Sequence, residues 1–256
     1  MTSATRARAR TRLGLLAAAL VLALTGCGAS TLPSVHSESE RLSLARRQAA
    51  KGDYTDAIEL LKTFIDNNAG SVEVDHAVYL LGDCYLHVHD WASAAVQFDR
   101  LLREFPESDS SASASYHLGI AYEGQARPPD FDQEYTVKAI EQYRHYLQNY
   151  PGHWSNALAE HDIQTARMKL AGKLVDTGDL YVKLHLLPAA RIYYGRVEDE
   201  YSDLPQLGDA WMGLARCDVL DHKPEAAIEK LKQVEERFAG RPVAEMAARE
   251  RARLVN

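Results

Sequence analysis

The chain has 256 residues, with 29 Lys+Arg against 36 Asp+Glu and a formal net charge of −7. An acidic body of this kind argues against nucleic acid as a partner and against a basic surface that holds a membrane by charge. The length suits one extended domain or a repeat array, and three cysteines among scattered histidines give no metal-ligand spacing.

Arg6, Arg8, Arg10 and Arg12 precede an apolar run from Leu13 to Leu24, too short for a membrane span of roughly 20 residues. A basic start, a short apolar stretch and small residues at its end predict a secretory signal over residues 1–26. Leu24-Thr25-Gly26-Cys27 resembles the lipobox of bacterial lipoproteins, in which cleavage before the cysteine leaves it as the lipid-bearing N-terminus. That resemblance implies a covalent lipid on Cys27 and anchorage to a membrane through acyl chains, several of which hold stably where one does not. No other cofactor is expected. Loss of the signal would take the formal charge to −11. Gly28 stands where an aspartate often retains lipoproteins in the inner membrane, so the expectation leans to the outer membrane. Residues 27–37 have the composition of a flexible, uncharged tether.

From residue 38 one unit recurs. Its clearest copy carries Leu81-Gly82, Tyr85, Ala94, Phe98 and Pro106, which match the tetratricopeptide (TPR) pattern at the expected offsets. Small residues at 82 and 94 let two antiparallel helices approach, large ones fill the space beside them, and Pro106 ends the second helix. Asp90 is placed to cap the helix that opens with Trp91. The alanine recurs as Ala57, Ala94, Ala139, Ala190 and Ala227. Four residues on stand Leu61, Phe98, Tyr143, Tyr194 and Leu231; the preceding small residue is Ala45, Gly82, Gly119, Gly178 or Ala215. Five copies in register predict an all-α fold, a TPR-type helical solenoid of five helix-turn-helix repeats over about 38–70, 75–107, 112–152, 163–203 and 208–240. Pro188 and Pro224 fall at helix starts. Residues 239–256, rich in Ala, Arg and Glu, read as a capping helix that gives the array a polar end. Cys84 and Cys217 occupy equivalent places in distant repeats, so two small buried thiols are expected rather than a bridge.

The alanine spacings of 37, 45, 51 and 37 exceed the usual 34, so helices are long or turns carry extra residues. The third copy holds a Pro-rich loop, residues 124–133, in which Asp130 and Gln133 are spaced like a capping box. Loops inserted into such arrays often carry function.

These features together resemble the BamD family, the TPR lipoproteins of the outer-membrane β-barrel assembly machine. The resemblance rests on the order of lipobox, tether and five elongated repeats. It also rests on Asp130-Phe131-Asp132-Gln133 leading into Ala139-Ile140-Glu141-Gln142-Tyr143, and on Arg167-Met168-Lys169-Leu170-Ala171 followed by Leu180-Tyr181-Val182-Lys183. The sequence departs from the family at Leu174 and Tyr193, where glutamate and arginine are common. The resemblance implies a periplasmic scaffold, anchored in the outer membrane, that catalyses no reaction. Its partners would be a BamA-like insertase held mainly by the C-terminal repeats, other lipoproteins of the machine, and unfolded outer membrane β-barrel proteins. A different TPR lipoprotein scaffold, serving the cell wall, a pilus or a secretion apparatus, is the alternative.

TPR offsets alone place Tyr79, Asp83, Tyr116 and Glu123 on the groove lined by first helices, where rigid, amphipathic tyrosines suit an extended peptide ending in an aromatic residue. The same tyrosines could instead be stacking residues between repeats. Lys183, Arg191 and Arg196 could form a basic face for an acidic partner, or could be ordinary solvated helix charges. His87 and His89, two apart on a helix, would point about 200° apart around its axis and cannot jointly bind a metal. No His-Glu-x-x-His, Gly-x-Ser-x-Gly or phosphate-loop motif is present.

Overall fold

A computed structural model describes residues 37–255, which form eleven α-helices and no strand. The expected signal segment, the lipidation site at Cys27 and nearly all of the tether lie outside the described residues. The helices are α1 (Glu38–Lys51), α2 (Tyr54–Asn67), α3 (Val74–His87), α4 (Trp91–Glu104), α5 (Ser111–Gln125) and α6 (Glu134–Asn149). They continue as α7 (Asn156–Lys183), α8 (Leu187–Glu200), α9 (Gln206–Leu220), α10 (Pro224–Arg237) and α11 (Pro242–Val255). Each packs on the next in sequence, giving five helix pairs and a terminal helix. First helices of successive pairs also touch one another, α1 on α3, α3 on α5, α7 on α9 and α9 on α11. First helices therefore form the inner layer of a TPR-type solenoid.

The start signals act as local chemistry dictates. Ser37 Oγ accepts from the Glu40 amide at 3.2 Å, and Asp90 Oδ1 from the Ser93 amide at 3.1 Å, so each satisfies an amide the helix leaves unpaired. Pro188 and Pro224 lie in the first turns of α8 and α10, where a missing N–H removes no helical bond. Four of the five turns inside helix pairs share one Schellman closure. A residue one or two places past the helix adopts a left-handed φ, and the next amide reaches back across the last turn, as Asp53→Gln48, Asp90→Tyr85, Leu186→Tyr181 and Lys223→Asp218, all at 2.9 Å. The left-handed residue is Gly52 in the first pair but His89, His185 and His222 in the others.

The marker alanines Ala57, Ala94, Ala139, Ala190 and Ala227 are all fully buried, as are Leu61, Phe98, Tyr143 and Tyr194. Rings from second helices lie against glycines of first helices. A Cβ on Gly82 would stand 2.7 Å from Phe98 Cε1, one on Gly119 2.3 Å from Tyr143 Cε1, and one on Gly178 2.5 Å from Tyr194 Cε1. Glycine is thus needed for the ring that crosses it as well as for backbone approach. Cys84 and Cys217 are both free and buried. The Cys84 thiol is pushed up to about 12 by its burial and then by the Asp83 charge, which keeps it protonated and inert.

The wide 139-to-190 spacing comes from α7, whose 28 residues span about 42 Å. Its N-terminal half (Ala159, Ile163, Ala166) packs with Tyr143 and Tyr146 of α6, and its C-terminal half (Leu174, Val182) with Ala190 and Tyr194 of α8. One helix therefore serves two adjacent cores.

Candidate binding face

The inner layer carries a series of carboxylates: three accept a tyrosine hydroxyl and one, Asp83, lies beside two imidazoles. On α3, Asp83 stands 3.7 Å from His87 Nε2 and 3.9 Å from Nδ1 of His117, which belongs to α5. His117 stacks on Tyr79 at 5.7 Å between ring centroids and lies 3.3 Å from the Tyr79 hydroxyl. Burial holds the His117 imidazole below its ordinary pKa, against the pull of Asp83 in the other direction. Tyr143 passes over Gly119 and donates its hydroxyl to Glu123 Oε2 at 2.9 Å; Tyr194 passes over Gly178 and donates to Asp179 Oδ1 at 2.6 Å. Tyr116 donates to Asp162 Oδ2 at 2.9 Å, linking α5 to α7. Burial first, then the neighbouring carboxylates, push these three phenols above their ordinary range, so they remain donors.

The four groove residues expected from the sequence therefore differ in what they present. Tyr79 is half-buried and Glu123 exposed, whereas Tyr116, at 7 % exposure, is a stacking residue between repeats. Its equivalence to Tyr79 in the sequence does not carry over because Tyr143 and Tyr146 close over it, with ring centroids 5.7 and 5.6 Å away. Asp162 and Asp179 join the face although no offset singled them out; the signal was a buried tyrosine whose hydroxyl needs an acceptor, Tyr116 for Asp162 and Tyr194, at the large-residue position, for Asp179.

Lys183, Arg191 and Arg196 do not make a free basic surface. Arg191 Nη2 reaches Asp218 Oδ1 at 2.9 Å and Asp221 Oδ2 at 2.7 Å, tying α8 to the end of α9. Arg196 pairs with Glu200 of its own helix at 2.9 Å. Lys183 is exposed at the end of α7. The more telling cation is Arg167, whose two guanidinium nitrogens meet the two Asp203 oxygens at 2.6 and 2.7 Å.

The inserted loop is held differently from its capping-box expectation. Asp132, not Asp130, supplies the turn, accepting from the Glu134 amide at 2.8 Å. Gln133 is buried and donates its amide to the carbonyls of Arg127, Pro128, Phe131 and Asp132, while its oxygen accepts from Thr136 at 2.9 Å. From α7, Lys173 Nζ donates to the carbonyls of Pro129 and Phe131, and Arg127 lies 3.9 Å over the Phe131 ring. One buried amide and one lysine thus fix the shape of the excursion. His87 and His89 contact different rings, His87 stacking on Tyr54 and His89 leaning on Trp91, but His89 lies beyond the end of α3 in the left-handed turn and not on the helix as expected. Among the described residues no group of three His, Cys, Asp or Glu could hold a metal, and no helix is long and apolar enough to cross a membrane.

The paired helices, their small-residue contacts and the inner layer define a tetratricopeptide-repeat protein, and the tetratricopeptide family model matches residues 42–109. A second family model, YfiO, described as outer membrane lipoprotein, matches residues 83–215, just over half of the chain. The chain belongs to that family of outer membrane lipoproteins. Similar solved structures include a tetratricopeptide repeat protein from Parabacteroides merdae (14% identity, 93% of this chain and 90% of that one, TM-score 0.42). Others are TTC0263 of Thermus thermophilus (15%, 86% and 99%, TM-score 0.37) and TPR-like repeats of a Podosopora anserina kinesin light chain (17%, 80% and 98%, TM-score 0.41). No curated protein matches the chain.

Proposed function

We propose that this protein is the BamD-like scaffold of an outer-membrane β-barrel assembly machine. It would be processed after residue 26, lipidated on Cys27 and held by residues 27–37 at the periplasmic face of the outer membrane. Its C-terminal repeats would bind a BamA-like insertase and other lipoproteins of the machine, and its N-terminal repeats would receive unfolded β-barrel proteins. The observation that carries this reading is the outer membrane lipoprotein match over residues 83–215, which takes in the inserted loop, the long α7 and most of the carboxylate series. Its chemistry supports binding rather than turnover. Glu123, Asp162 and Asp179 already accept phenol hydroxyls, so that part of the face is set before a ligand arrives and loses little freedom on binding. Tyr79 and Glu123 are the groups it offers to an extended segment with an aromatic end.

The test is a mild-detergent pull-down of the tagged, lipidated protein with mass spectrometry of what accompanies it. Recovery of a β-barrel insertase with repeated periplasmic domains supports the reading. Recovery of cell-wall, pilus or secretion components instead replaces it with the other TPR-lipoprotein role.

A further inference from the structure

The last three helices share one core, and α9 and α11 approach closely at their starts, where a Cβ on Gly208 would stand 3.1 Å from Val243 Cγ1. α11 is packed on α10, where Arg251 grips both Glu235 oxygens at 2.7 and 3.1 Å, and it meets α9 over a smaller area. The small side chains of α11, Ala244 and Ala247, are consumed in the core it shares with α10 and with Leu207 and Ala215 of α9. Between α9 and α11 this leaves a cavity of about 440 Å³, floored by Met212, Val219, Leu231 and Met246. That volume lies in the roughly 300–1,000 Å³ range of ligand clefts. Met246 is 48% exposed there, and methionines adapt to varied apolar partners. The rim has the opposite charge to the chain as a whole: Arg216, Arg249 and Arg253 face a single carboxylate, Glu250. Arg216 and Arg253 are half-held, by Asp179 at 3.1 Å and Glu250 at 2.7 Å, while Arg249 has no ion pair among the described residues.

We infer that this slot docks a short amphipathic helix of a partner polypeptide, with large apolar side chains on one face and Asp or Glu beside them. An apolar floor bounded by three arginines, on a protein of net charge −7, is complementary to that chemistry and to few others. The span of α9 from Met212 to Val219 is about 10 Å, the length of two helical turns, which present residues i, i+3 or i+4, and i+7 to a groove. The slot lies in the last repeat and the terminal helix, within the C-terminal region to which the proposed function assigns partner binding; the inference rests on that reading and names the chemistry of the segment bound there.

The experiment uses the full-length lipidated protein in detergent and two fluorescent synthetic 14-residue helices. Both carry leucine at i, i+3, i+7 and i+10; one has glutamate and the other lysine at the flanking positions. Fluorescence anisotropy should show the glutamate peptide binding about tenfold tighter, with the difference shrinking as salt is raised. Arg249→Glu with Arg253→Glu should reverse the preference, and Met246→Trp, which fills the slot, should abolish binding of both peptides. Thermal melting of each variant separates these effects from loss of fold. Equal affinity for the two peptides, or a preference untouched in a normally melting double variant, would overturn the assignment. So would sedimentation showing self-association that the double variant abolishes, since the slot would then hold a second copy. None of these outcomes depends on which proteins the pull-down recovers.

Discussion

A Cβ on Gly213 would stand 2.3 Å from Cζ of Tyr194, although the two residues lie in different repeats. The Tyr194 ring is clamped between Gly178 of α7 and Gly213 of α9, and its hydroxyl emerges from the clamp to reach Asp179. One side chain of α8 thereby joins two first helices. Gly213→Ala should destabilise the protein by about 1–3 kcal/mol, because a clamped ring can escape a methyl only by leaving its rotamer. Gly172→Ala is the control: it lies within α7 with nothing within 4 Å of the added carbon. There the better helix propensity of alanine should raise stability by up to about 1 kcal/mol. Chemical denaturation of both variants reads the contrast, and equal signs at the two sites would refute the clamp.

The proposed groove makes a prediction that distinguishes the two tyrosines. Tyr79→Ala should weaken photocrosslinking to a peptide ending in phenylalanine while the melting curve remains cooperative. Tyr116→Ala should instead lower stability by about 3 kcal/mol, since a buried ring is removed and Asp162 loses its donor. Unchanged crosslinking in the first variant would remove Tyr79 from the substrate face.

The repeat was legible because its markers follow from packing that any TPR must satisfy: the alanines, the large residue four on, and the small residue before them all lie in the core. Gly213 was not, because it answers a ring in another repeat and no spacing within one unit requires it. The inner-face residues were half legible. Offsets say which way a helical position points, but Tyr116 is covered by aromatics from α6, and Arg191 is captured by Asp218 and Asp221 one repeat later. The long α7 lacked a signal for another reason: no proline or glycine punctuates residues 156–171, so the sequence permits one helix and does not demand it.

The loop of residues 126–133 depends on one buried amide. Gln133→Glu keeps the shape but replaces a donor to four carbonyls with a carboxylate that can only accept, so it should cost about 3 kcal/mol or charge the loop out of place. Limited proteolysis should then cut within residues 126–132, where the parent protein resists. Resistance in the variant would show that Lys173 alone suffices.

His89, His185 and His222 each occupy the left-handed turn position that Gly52 fills in the first repeat. A side chain there strains against its own carbonyl, a strain glycine lacks. Replacing His185 or His222 with glycine should stabilise the protein by up to about 1 kcal/mol each, nearly additively because the turns belong to separate repeats. His89→Gly should gain less, because it also gives up the contact with Trp91 at 4.8 Å. Thermal melts of the three single variants and the triple variant give the ranking; a loss at His185 or His222 would mean that the imidazole has a stabilising contact of its own.

The Arg167–Asp203 pair sets an acid-sensitive link between α7 and the turn before α9. The two hydrogen bonds from Arg167 hold the Asp203 carboxyl below the ordinary carboxylate range. A carboxyl depressed on folding contributes stability that is fully present above its unfolded pKa, about 3.9, and is lost as pH falls through the lower folded value. Because the Asp203 side chain is 55% exposed, solvent screens the pair and its contribution should stay below about 1 kcal/mol. Asp203→Asn should therefore lower stability slightly at pH 7 and leave it unchanged near pH 2, so the two denaturation midpoints converge on acidification. A gap that stays constant from pH 7 to pH 2 would assign the loss to packing of the turn rather than to the charge.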